Sequence, residues 1–168
     1  MQKRYWNNLT QYKFTLFYLD AHFSRCVKIE RFIKITLSLC SSASVASWAI
    51  WNEIGFLWAI IIAASQVIGV IDEFLPYKKR ISEIAELKSR LTPIYYEVEK
   101  DWLPVSNGEL SEDEVNDRYY KYMKKWTDTY DKFFVDDSLP KNAACVSYAE
   151  QEKNKYFELI FKEEEYER

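Results

Sequence analysis

Two short stretches of the chain interleave cations with aromatic rings. One is Lys3-Arg4-Tyr5-Trp6; in the other, from Arg118 to Trp126, the cations Arg118, Lys121, Lys124 and Lys125 are set among Tyr119, Tyr120, Tyr122 and Trp126. Lys and Arg hold phosphates and aromatic faces stack on bases, so this mixture suits a nucleotide or an oligonucleotide. The plainer reading of the same residue types is attraction to anionic lipid headgroups and the building of helical cores. A third group is the hydroxyl-rich set Ser38, Ser41, Ser42 and Ser44, with Gln66 as the one large polar residue in the apolar stretch that follows. Ser41 with Ser44, and Ser38 with Ser42, share helix faces, so these residues are candidates to line a pore; close packing between helices uses the same side chains.

The chain carries no Gly-rich phosphate loop and no nucleophile elbow, and His22 is its single histidine. Cys26, Cys40 and Cys145 have no paired spacing, so neither a four-ligand zinc site nor a disulfide framework is expected. Carboxylates one helical turn apart, such as Glu97 and Asp101, read as a charged helix face rather than an acid–base pair. The expectation is a protein without cofactor or metal, and not an enzyme.

These residues have to be carried by helices. With 168 residues the chain is one functional unit, and three glycines and four prolines leave few breaks for a many-stranded fold, so the fold class is all-α. The net charge of -3 conceals an asymmetry: Met1–Lys34 has seven cations against Asp20 and Glu30, whereas the stretch after Pro76 is net acidic. Between them Ile35–Ile71 contains Glu53 as its only charged residue. Its two halves, each about 18 residues and about 27 Å as a helix, predict a two-helix transmembrane hairpin reversing at Trp51-Asn52-Glu53-Ile54-Gly55. Lys28, Arg31 and Lys34 before it and Lys78, Lys79 and Arg80 after it predict a multi-pass inner-membrane protein with both termini cytoplasmic. A buried core hairpin is the competing reading. Two spans cannot enclose water alone, so a pore would require a homo-oligomer, a tetramer or similar ring.

The domain reading is therefore an N-terminal amphipathic helix over 1–34, the hairpin over 35–75 and a cytoplasmic helical domain over 76–168. The first helix carries Leu9, Tyr12, Leu16, Phe17, Leu19, Phe23, Val27 and Ile29, to lie on a membrane or to pack. Ile81, Ile84, Leu87 and Leu91 mark a second helix, which Pro93 should kink or restart, with a turn at Asn107-Gly108. Ser111 to Glu114 reads as a capping box opening a helix with Val115, Tyr119, Tyr122, Met123, Trp126, Tyr130, Phe133 and Phe134 inward, ending at Asp136–Pro140. A last helix from about Ala143 carries Tyr148, Tyr156, Phe157, Leu159, Ile160 and Phe161 and runs into Glu163-Glu164-Glu165.

In the order of these parts the chain resembles the SLATT-type two-transmembrane effectors of prokaryotic antiphage defence. The likeness lies in Tyr5-Trp6 and Phe17-Tyr18-Leu19, Ser41-Ser42-Ala43-Ser44 through Trp48-Ala49-Ile50-Trp51, Ala63-Ala64-Ser65-Gln66-Val67-Ile68, and Leu75-Pro76-Tyr77 before a helical region. The resemblance implies an oligomeric pore-forming effector that disrupts the membrane of infected cells. Its partners would be membrane lipid, other copies of itself and a nucleotide or oligonucleotide second messenger from a nucleotidyltransferase. As in Hailong-type systems, that signal would hold the channel closed; in another member it would open it. The alternative is a non-conducting, membrane-anchored adaptor that recruits a protein through its cytoplasmic helices.

Overall fold

In the computed structural model, the structure describes residues 1–47, 56, 60, 63–64, 66–67, 77–133 and 139–166. Among the described residues there are four long helices and no strand: α1 (Gln2–Ser47), α2 (Tyr77–Ser106), α3 (Glu112–Tyr130) and α4 (Ala143–Tyr166). Met1–Phe23 and Glu83–Arg168 form one compact unit, and Ser24–Ser82 form a second.

The all-α expectation holds, but the transmembrane hairpin does not: among the described residues no helix is long and apolar enough to cross a membrane. Helix α1 runs unbroken from Gln2 to Ser47, across the expected start of the hairpin at Ile35. Among the described residues thirteen of the first span, Ile35–Ser47, belong to α1, against about 20 apolar residues for a crossing, and the turns before them carry Arg25, Lys28, Glu30, Arg31 and Lys34. Lys34 is paired with Glu30 one turn back at 2.6 Å. The multi-pass inner-membrane location with both termini cytoplasmic falls with the hairpin. The expected reversal at Trp51–Gly55 and most of the second span lie outside the described residues.

In the first unit the core is built on two stripes of alternating three- and four-residue spacing. Tyr5, Leu9, Tyr12, Leu16 and Leu19 of α1 meet Ile84, Leu87, Leu91, Ile94 and Val98 of α2, all buried in one cluster. This spacing keeps one narrow seam of each helix facing its neighbour, as in knobs-into-holes packing. The amphipathic stretch of α1 within this unit is thus a packing element, and its stripe begins one turn earlier than expected, at Tyr5. Helix α2 continues through Pro93, although the proline lacks the donor that would reach the Ser89 carbonyl. Tyr95, Val105, Val115, Tyr122, Trp126 and Leu139 complete the cluster.

Two local signals end α2 and start α3. Gly108 takes φ +70, the Gly108 N–H donates to Val105 O and the Glu109 N–H to Pro104 O, which is the paired bonding of a Schellman end. The Gln2 side-chain amide also donates to Val105 O at 2.8 Å, so one of α2's last carbonyls is capped from α1. The expected capping box is present: Glu114 N–H donates to Ser111 Oγ at 3.3 Å and Ser111 N–H to Glu114 Oε2 at 2.9 Å. The Ser111 N–H first, and second the Ser111 hydroxyl, which donates to the same carboxylate oxygen at 2.8 Å, hold the Glu114 carboxyl below its ordinary range. A depressed folded-state value means that the stabilisation is complete above the unfolded carboxyl range near pH 4.3 and is lost as pH falls through the folded value. Replacing Ser111 by alanine should cost about 1 kcal/mol in a denaturant titration at pH 7. The stability difference between the parent and E114Q should be flat above pH 6 and shrink below pH 4.

Helix α3 turns Val115, Tyr122 and Trp126 inward as expected, but Met123 lies outward, Phe134 falls outside the described residues and the helix ends at Tyr130, before the expected stop. Helix α4 starts where expected, at Ala143, with Asn142 Oδ1 accepting from Cys145 N–H at 3.1 Å. Cys145 and Ala149 are its buried residues, whereas Tyr148 and Leu159 are exposed. Small side chains let α4 approach closely, and Tyr156 and Phe157 pack at its flank.

Candidate functional site

The fold brings the two cation–aromatic stretches together. The Arg4 guanidinium lies 4.5 Å from the centre of the Tyr119 ring and 5.3 Å from that of Tyr120, and its Nη2 donates to Tyr120 Oη at 3.3 Å. These residues are 116 positions apart in the chain. Lys124 is four residues from Tyr120 and three from Lys121 and so shares a face of α3 with each, and all three positions are exposed. Lys3 is exposed one residue from Arg4, and Lys121 Nζ is 5.5 Å from the Tyr122 ring centre. Arg4 thus makes a seam between the start of α1 and α3 at the Tyr119 and Tyr120 rings, and Lys3, Lys121 and Lys124 are exposed on the same two helices within four residues of Arg4 or Tyr120.

The other members of the two stretches hold the bundle together instead. Arg118 Nη1 is 3.1 Å from Asp101, which also accepts the Tyr122 hydroxyl at 2.6 Å, and Lys125 Nζ bonds both oxygens of Glu97 at 2.8 and 2.9 Å. Glu97 and Asp101 are thus partners that fasten α3 to α2. Burial, and next the Asp101 bond, push the Tyr122 hydroxyl's pKa far up. Tyr5 is buried, stacks near Trp102 at 6.1 Å and donates to Val98 O at 3.0 Å; Trp6 contacts Trp102 and Phe157, each at 5.0 Å. Neither ring is presented to a ligand as Tyr120 is, at 45% exposure.

A second polar cluster escaped the sequence reading. Glu99 Oε1 accepts the hydroxyls of Tyr95 at 2.6 Å and Tyr156 at 2.5 Å, and Lys13 Nζ sits over the rings of Tyr156, Tyr95 and Phe17 at 3.5, 4.5 and 5.4 Å. Burial lowers the Lys13 pKa, with Glu99 opposing it. Lys88, paired with Asp20, is a further cation in its field. The one-turn spacings Lys13–Phe17 and Tyr95–Glu99 were visible in the sequence, but nothing local points to Tyr156. The arrangement ties α4 to α1 and α2.

Of the residues proposed to line a pore, Ser38 is exposed on α1, Ser41, Ser42 and Ser44 belong to the same helix, and Gln66 is helical and exposed. Cys26 and Cys145 are buried, and no group of three or more metal-ligating side chains occurs among the described residues. No protein-family profile, curated protein or solved structure matches the chain.

Proposed function

We propose that the first unit is a binding module for a phosphate-bearing ligand with stackable rings, a nucleotide or short oligonucleotide, held along the α1–α3 seam. The observation that carries this reading is the joining of Arg4 to Tyr119 and Tyr120, with Lys3, Lys121 and Lys124 exposed on the same two helices. Cations there neutralise phosphates, and the half-exposed Tyr120 offers a face for a base. The resemblance to SLATT-type effectors implies the same ligand class, and with it a role in nucleotide-signalled antiphage defence. The pore part of that resemblance needs the two spans and is not carried forward.

The test is equilibrium binding of a fluorescein-labelled oligothymidylate to the full chain. Arg4→Ala should weaken binding about tenfold, as expected for one charge-assisted phosphate contact. Arg118→Ala should leave it within twofold, because Arg118 is engaged with Asp101. Equal losses in both variants would contradict the seam. A second reading, recruitment of a protein partner, has its own observation: Tyr96 and Leu103, seven residues apart on one face of α2, are 59% and 61% exposed. A Tyr96→Ala, Leu103→Ala double variant that loses partner recruitment but keeps oligothymidylate binding would favour it.

A further inference from the structure

Successive helical residues point about 100° apart, so Arg4, Tyr5 and Trp6 leave the first turns of α1 in three directions. Tyr5, the middle one, is buried against α2 and donates to Val98 O. Arg4, on one flank of it, meets the Tyr119 and Tyr120 rings of α3. Trp6, on the other flank, meets the Phe157 ring of α4 edge-on, with centroids 5.0 Å apart and planes at 63°. The start of α1 is therefore pinned at its middle and braced on both sides, by α3 through Arg4 and by α4 through Trp6. The N–H groups of a helix's first turn have no acceptor earlier in the same helix, so contacts of this kind decide where that turn points.

Helix α4 is brought to Trp6 by the residue before Phe157. Tyr156 donates to Glu99 Oε1 of α2, lies under Lys13 Nζ at 3.5 Å and meets Phe17 edge-on at 6.4 Å. Trp6, Lys13 and Phe17 are seven and four residues apart and share one face of α1, which is the face that α4 grips. We propose that α4 is a clamp on the seam, with Phe157 as a positioning residue: by bracing Trp6 it sets the direction from which Arg4 meets Tyr119, Tyr120 and a ligand phosphate. The clamp makes the seam controllable, because whatever draws α4 from α1 weakens phosphate binding, and a ligand on the seam favours the docked α4 by the same factor. The inference rests on the reading of the seam as a phosphate site and adds what governs it.

The experiment follows the salt dependence of oligothymidylate binding to the full chain and to Phe157→Ala, Phe157→Tyr, Arg4→Ala and the Arg4→Ala, Phe157→Ala double variant. Phe157→Ala should weaken binding about fivefold and lower the slope of log K against log salt by about 0.7, the loss of one phosphate contact to a single strand. Phe157→Tyr keeps the ring against Trp6 and should restore both. In the Arg4→Ala background the loss of Phe157 should change neither, since the contact it positions is already gone. A weaker affinity at unchanged slope, a full further loss on top of Arg4→Ala, or parental behaviour of Phe157→Ala overturns the clamp and leaves the seam standing. Failure of the parent to bind, or parental binding by Arg4→Ala, overturns the seam and the clamp together.

Discussion

Leu91→Ala is expected to destabilise the chain by about 2–5 kcal/mol, measured by urea denaturation followed by helical circular dichroism. Leu91 has no exposed surface and lies in the middle of the α2 stripe, between Leu87 and Ile94 and within the cluster that includes Leu9 and Leu16. Removing three carbons there loses their transfer free energy and leaves a cavity among neighbours held on two long helices. The control is Leu103→Ala on the same helix, 61% exposed, where the change should stay within about 0.5 kcal/mol. Similar losses at both positions would mean that the α1–α2 packing is wrong.

Trp126→Ala should cost about 3–5 kcal/mol in the same measurement. Trp126 is buried and lies almost parallel to the Tyr12 ring, with centroids 3.9 Å apart and planes 8° from parallel, so it fixes α3 against α1. The consequence reaches the candidate site, because the seam exists only while α3 holds Tyr119 and Tyr120 beside Arg4. Trp126→Phe keeps a ring against Tyr12 and should recover more than half of the loss. Burial also pushes the Tyr12 hydroxyl up to about 12, with the Asn8 amide bond opposing it, so this stack should be insensitive to pH across the neutral range.

What could be read in the sequence was local. The capping box at Ser111–Glu114 is complete within four residues, and the stripe from Ile84 to Leu91 declares itself by spacing alone. Helix α4 shows where residue type alone says little: its large residues were visible in the sequence, but the fully buried positions are Cys145 and Ala149, two small side chains that no local pattern singles out. The apolar run from Ile35 was judged by length and flanking charge, without knowledge that α1 would carry the charged turns before it and the run's first residues in a single helix. Pro93 was expected to kink or restart the helix, and α2 runs on through it to Ser106 without a restart.

The site was legible as two lists of residue types but not as a place. Both cation–aromatic stretches were singled out, yet nothing in them said that Arg4 would reach Tyr119 and Tyr120 or that Arg118 and Lys125 would be drawn to Asp101 and Glu97. Those assignments depend on contacts that only the assembled bundle makes. Of the eight proposed nucleotide-binding residues, the fold leaves Lys3, Arg4, Lys121 and Lys124 exposed on the two helices of the seam and gives Tyr5, Trp6, Arg118 and Lys125 contacts within the bundle.

The most direct measurement is the salt dependence of oligothymidylate binding to the full chain and to a Lys3→Ala, Lys121→Ala, Lys124→Ala variant. Each phosphate contact contributes about 0.7 to the slope of log K against log salt for a single strand, so removing three cations should lower the slope by up to about 2. That fall, together with an unchanged slope in Lys125→Ala, is the result predicted by a phosphate-binding seam. An equal slope in the triple variant and the parent, or no binding by the parent at low salt, would contradict it.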